Sequence, residues 1–159
     1  MKKCIKLIAV AMALTVVASC GNSAKSEENS NPVIEEAETT GSVITANQNR
    51  LDQLISVSPA GEIKAIGNKP VVIDFNATWC GPCRQFSPIF QEVAGEMAGR
   101  AIFVSVDVDQ CPAAAAAFGI EAIPCVAVVF PNGVVDSHVG FMPKVEFTRV
   151  LNASFGDKY

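Results

Sequence analysis

The sequence is poor in most of the residues that would suggest a metal or nucleic-acid protein. Of its 159 residues one is histidine, His138, and one each is Trp and Tyr. No Lys/Arg cluster occurs beyond the first few residues, and the net charge is −4, so a basic face for nucleic acid is not expected. Charged residues make up only 18% and mean hydropathy is +0.32, which excludes a wholly disordered chain. No internal repeat is present. The apolar run Leu7–Ala18 falls short of the about 20 residues that a membrane-spanning helix needs. The length suits one globular domain with appendages.

What is present begins with an address. Lys2, Lys3 and Lys6 precede that apolar run, the basic and hydrophobic regions of a secretory signal. The segment ends Val17-Ala18-Ser19-Cys20-Gly21, small residues before a cysteine, which resembles a bacterial lipobox. The resemblance implies cleavage before Cys20 and a lipid anchor on its sulfur; two or three acyl chains hold firmly where one is marginal. Residues 1–19 would then be removed. Nine basic residues would face sixteen acidic ones, a net of −7, and four thiols would remain to the exported domain: Cys80, Cys83, Cys111 and Cys125. Residues 20–44 read as an acidic tether or N-terminal extension, with Glu27, Glu28, Glu35, Glu36 and Glu38 against Lys25. Residues 45–159 read as the domain.

Within the domain, Leu51, Leu54 and Ile55 predict a first helix ending near Pro59, capped by Asn47 or Asn49. A short ordered piece is expected at Glu62–Ile66. Val71–Phe75 reads as a buried strand, Ala101–Val106 as a second and Cys125–Phe130 as a third. Phe86, Ile89, Phe90, Val93 and Met97 mark a helix carrying Pro88 inside it, where a kink is expected. Pro112–Phe118 is a short Ala-rich helix stopped by Gly119. Asn132-Gly133 predicts a hairpin into Val134–Gly140, and Pro143 opens a last helix. Strands alternating with helices give an α/β sheet covered on both faces.

The chemistry centres on Cys80-Gly81-Pro82-Cys83. A zinc site would need a second ligand pair; Cys111 and Cys125 are fourteen apart and His138 stands alone, so zinc is not expected. A static disulfide and a cycling dithiol remain. Position favours cycling: the pair follows a strand and opens a helix, whose N-terminus favours thiolate, the species that attacks disulfides. Pro82 lacks an N–H that would be unpaired there, and Gly81 lets a substrate backbone approach.

The segment Val72-Ile73-Asp74-Phe75-Asn76-Ala77-Thr78-Trp79-Cys80-Gly81-Pro82-Cys83 is similar to the active-site segment of the thioredoxin family. Further landmarks recur in order: Pro88, Val106–Gln110, Phe118–Pro124, Phe130–Gly133 and Val139-Gly140. The resemblance covers roughly residues 45–155. It implies a thioredoxin fold, a central mixed sheet with helices on both faces and an N-terminal extension. It also implies roles. Cys80 would be the nucleophile and Cys83 the resolving thiol, the two forming a redox-active disulfide. Asp74 would be a buried carboxylate of raised pKa that takes the proton of Cys83. Trp79, Gly81, Pro82, Ile123 and Pro124 would form the substrate surface, with a cis Ile123–Pro124 bond facing Cys80. Ser105 stands where many members have a lysine beside the buried acid, and Cys125 where threonine is usual. No cofactor or metal is implied.

The resemblance leaves direction open. Gly81-Pro82 between the cysteines, and Asp74, favour a reductase. The expected protein is a monomeric, lipid-tethered reductase on the periplasmic side of the inner or outer membrane. Its partners would be disulfide-bearing exported proteins and a membrane electron-donor protein, with no nucleic acid. Alternatives are a reductant for apocytochrome c maturation, a disulfide oxidase or isomerase, and a lipoprotein scaffold with a static disulfide.

Overall fold

A computed structural model of the chain describes residues 40–158. The signal segment, Cys20 and most of the acidic tether lie outside the described residues. The elements in order are β1 (Ile44–Ala46), α1 (Gln48–Leu51), β2 (Ile55–Val57), β3 (Ile63–Ala65), β4 (Val71–Asn76), α2 (Gly81–Glu96), β5 (Ile102–Asp107), α3 (Pro112–Ala117), β6 (Cys125–Val129), β7 (Val135–Val139) and α4 (Lys144–Lys158).

The five-stranded sheet runs β1-β5-β4-β6-β7. β4 lies at its centre because Val71–Phe75 are apolar but for one acid and can bury both faces. It pairs parallel with β5 and antiparallel with β6, so the sheet is mixed. Side chains alternate across it. Val71, Ile73 and Phe75 join Val104, Val106, Cys125 and Ala127 beneath α1 and α3. Val72, Phe103, Val126 and Val128 meet Phe86, Phe90, Phe147 and Leu151 of α2 and α4 on the opposite face. That face is aromatic: ring centroids are 5.1 Å apart for Phe86–Phe147 and 5.3 Å for Phe90–Phe103. Asp74 and Asn76 share the parity of Val72, so they point to the α2 face.

Gly133, at φ +87°, turns β6 into β7 through Gly133 N–H to Phe130 C=O and Phe130 N–H to Val134 C=O bonds. Pro88 sits on the exposed side of α2, away from Phe86, Phe90 and Val93. Lys144 at the start of α4 reaches Glu92 (2.8 Å) and Glu96 (2.6 Å) of α2.

The N-terminal part corrects the expectation. The helix ends at Leu51 instead of near Pro59. Asn47 does cap it, accepting from Arg50 N–H at 3.0 Å. Ile55–Val57 then leave it to form a hairpin with Ile63–Ala65, where Glu62–Ile66 was expected to be ordered. The β-branched Ile55 and Val57 favour the strand. Leu51 and Leu54 are buried in either arrangement, so their spacing could not separate the two. β1 is the other element not foreseen; it adds as a parallel edge strand to β5.

Candidate active site

β4 ends at Asn76, and the turn Ala77–Trp79 delivers the chain to α2. Cys80 N–H donates to Ala77 C=O (3.1 Å), and Arg84 Nη1 reaches back to Thr78 C=O (3.0 Å), tying the turn to the helix it precedes. Cys80 is the N-cap of α2, with Pro82 in the first turn. Its Sγ accepts from Cys83 N–H at 3.2 Å. This is the arrangement that stabilises negative charge on a cap side chain, because the first-turn amides have no helical partner. Cys80 and Cys83 are joined by a disulfide, Cα atoms 5.3 Å apart. They pack with Ala77, Val108 and Ile123.

The expected substrate residues surround this pair. The Ile123–Pro124 peptide is cis, and the Ile123 carbonyl oxygen lies 3.9 Å from Cys80 Sγ. Pro124 itself is buried, and its carbonyl accepts from Gly140 N–H at 2.7 Å. That bond brings Val139 and Phe141, both exposed, beside the same rim. Trp79 is 67% exposed, so it is no part of the core. Its indole N–H donates to Asp109 at 2.8 Å, and Asp109 N–H in turn donates to Asp107. Trp79, Val108, Ile120, Glu121, Ala122 and Ile123 line a groove of about 280 Å³. A Cβ at Gly81 would meet nothing closer than Arg84 Nη2 at 3.9 Å, so the approach to the dithiol over Gly81 is open.

Beneath the helix, Asp74 is 2% exposed. Burial pushes its carboxyl up to about 7, offset in part by a hydrogen bond from Asn76. The Asn76 amide donates to Asp74 Oδ2 (3.2 Å), to the Asp74 carbonyl (3.1 Å) and to Ser105 Oγ (2.8 Å). Ser105 is the register partner of Asp74 on β5. Asp74 Oδ1 is buried without a partner among the described residues. Neither Asn76 nor Asp109 was singled out from the sequence. Asn76 was open to discovery: two residues after Asp74 on a strand, it must share its face.

The other two thiols are not joined to this pair: Cys111 caps a different helix, and Cys125 follows Pro124 on β6, within electrostatic reach of Asp74. Cys111 caps α3 without a side-chain cap bond; its Sγ points to the Ala46 carbonyl at 3.7 Å. Cys125 lies on the α1/α3 face of the sheet, opposite Phe75. Both are reduced and buried, and burial raises both thiols. Carboxylates add to this, Asp107 and Asp52 at Cys111, Asp74 at Cys125.

A family model described as thioredoxin matches residues 60–153. Thioredoxin from Staphylococcus haemolyticus is 42% identical over 81 residues, 51% of this chain and 78% of that one. Thioredoxin from Mycoplasmoides gallisepticum is 40% identical over 105 residues, 66% of this chain and 94% of that one. Among solved structures, a chloroplastic thioredoxin z is similar, with a TM-score of 0.58 and 25% identity over 72% of this chain and 96% of that one. A thioredoxin variant from Halobacterium salinarum NRC-1 shares the fold with a TM-score of 0.59 at 23% identity, over 72% of this chain and 92% of that one.

Proposed function

The chain belongs to the thioredoxin family and is a thiol–disulfide oxidoreductase, and from that premise we propose that it reduces disulfides of exported proteins while tethered to a membrane by lipid on Cys20. The observation that carries the reading is the Cys80–Cys83 pair at the start of α2, over a buried acid and beside an open apolar groove.

The steps follow from the placement. Reduced Cys80, as thiolate held by Cys83 N–H, attacks one sulfur of a substrate disulfide. The S–S bond breaks, and one substrate sulfur leaves as thiolate and is protonated by solvent. An extended substrate segment lies against Trp79, Gly81, Pro82, Ile123 and Pro124, pairing with the backbone at the Ile123 carbonyl. Cys83 then gives its proton to Asp74 and attacks Cys80 Sγ. The second substrate sulfur leaves, and two electrons have passed to the substrate. The Cys80–Cys83 disulfide remains, to be reduced again by a dithiol of a membrane electron-donor protein. A carboxyl near 7 suits proton transfer at neutral pH.

Three measurements test this. Insulin precipitation in dithiothreitol should accelerate with the chain and not with Cys80→Ser; no acceleration would leave a scaffold with a static disulfide. The reduction potential of the full chain in detergent should fall near the roughly −270 mV of thioredoxins. A value near the roughly −120 mV of strong disulfide donors would make it an oxidase. For the tether, labelled palmitate should enter the chain in a bacterial host and be lost in Cys20→Ala. Gly21 after Cys20 is compatible with outer-membrane sorting.

A further inference from the structure

We propose that Asn76 is a positioning residue of the exchange reaction: its amide, anchored on Ser105, holds Oδ2 of Asp74 and leaves Oδ1 as the atom that receives the Cys83 proton. This rests on the reading of Asp74 as proton acceptor given above. The geometry has three parts. The Asn76 amide has two hydrogens for three acceptors on two strands, so it is fixed in orientation by β4 and β5 together. All three acceptors lie at or beside Asp74. The remaining carboxylate oxygen is buried and unpartnered among the described residues, an arrangement that native interiors rarely retain without a use.

A neutral amide stands here in place of a cation. It favours the carboxylate by a hydrogen bond, so it moderates the effect of burial without abolishing it. The groups around Asp74 are few. β5 presents Ser105, with Asp107 opposite Asn76 in register. β6 places Val126 opposite, with Cys125 next to it on the strand. α2 covers this face with Cys83 and Phe86 buried, after the Cys80 cap. In the oxidised protein neither Cys80 nor Cys83 titrates, so the carboxyl can be followed by itself.

The test is a carboxyl-carbon NMR titration of the oxidised full chain, with the Asp74 resonance assigned by its loss in Asp74→Asn. Asn76→Leu removes the amide and keeps the branched shape of the side chain. Its Asp74 midpoint should rise by about one pH unit, the worth of a hydrogen bond to a charged group. Should that variant fold poorly, Asn76→Val, suited to a strand, gives the same reading. A midpoint that stays at the parent value in whichever variant folds overturns the inference. The pH profile of single-turnover release from a mixed disulfide on Cys80 should move with the carboxyl. If the carboxyl moves and the profile does not, Asp74 is not the acceptor, and the reading beneath the inference fails instead.

Discussion

Cys80 and Cys111 hold the same local position with opposite consequences. Each is the N-cap of a helix with proline in its first turn. At Cys80 the sulfur turns back over the helix and accepts from Cys83 N–H. At Cys111 no side-chain cap bond forms, and the sulfur turns into the core toward Ala46. Burial, then Asp107 and Asp52, raise the Cys111 thiol. A cap position alone therefore makes no nucleophile. On the function proposed above, the sulfur has to face the amides, with the groove beside it to take substrate and Asp74 on the same face of the sheet to take the proton.

The strongest way to break the comparison is to exchange the sulfurs for oxygen. Cys80→Ser should reduce insulin precipitation to the dithiothreitol background, since the hydroxyl cannot form the mixed disulfide. Cys111→Ser should retain the parent rate within about two-fold, because it touches neither substrate nor Cys83. A Cys111→Ser enzyme that lost activity would mean that the buried cap is coupled to the site.

The next largest effect lies at Asp74, on the α2 face of β4. The folded pKa of Asp74 is raised from 3.8 to about 7, so the native state binds the proton more tightly than the unfolded chain. Its stability must then fall as pH climbs from about 4 to about 7, and stay reduced above that. The full difference corresponds to about 4 kcal/mol at 1.36 kcal/mol per pH unit. Asp74→Asn should therefore be more stable than the parent at pH 8, by up to about 4 kcal/mol, and equal to it below about pH 4. Urea unfolding of the oxidised protein across pH measures this. The same variant should slow the resolving step. A gain in stability with a loss of turnover is the mark of an acid kept for chemistry; a pH-independent difference would refute the burial argument.

How far these features were legible differs by kind. The α2 face, the three inner strands and the Asn132-Gly133 turn came from periodicity and turn chemistry, because each is specified within a few residues. The Cys80–Cys83 pair stood out by its spacing between a strand and a helix, and Asp74 as the one acid in an apolar strand, while their roles came from the resemblance to the thioredoxin family. The hairpin after Leu54 did not, because Leu51 and Leu54 are buried whether the chain turns as helix or strand. The Asn76–Ser105 bond joins residues 29 apart, and only the β4–β5 register brings them together. The inward turn of Cys111 is likewise set by β1, a three-residue strand that no pattern announced.

A reactivity measurement sharpens the comparison further. In the reduced protein at pH 7, iodoacetamide should modify Cys80 at least roughly a hundred times faster than Cys111 or Cys125. Exposure alone does not separate them, since Cys80 too is buried; both of the latter thiols are raised, whereas Cys80 Sγ faces the Cys83 N–H. Mass spectrometry of quenched samples would locate the label. Comparable rates at Cys80 and Cys111 would show that the two caps do not differ chemically.

The smallest effect concerns stability at the second cap. Serine at position 111 faces a choice that cysteine has already made. Turned outward it can accept a first-turn amide of α3, a bond that cap residues gain about 1 kcal/mol from. Turned inward it keeps the Ala46 carbonyl as partner, but places a hydroxyl where a small apolar sulfur sat, at a cost of similar size. The two outcomes oppose each other, so Cys111→Ser should change stability by no more than about 1 kcal/mol in urea unfolding. A loss well above that would mean that the sulfur is needed to hold β1 against α3. Cys111 would then be a packing residue of the edge strand, and its likeness to Cys80 would be an accident of two helices that both carry proline in the first turn.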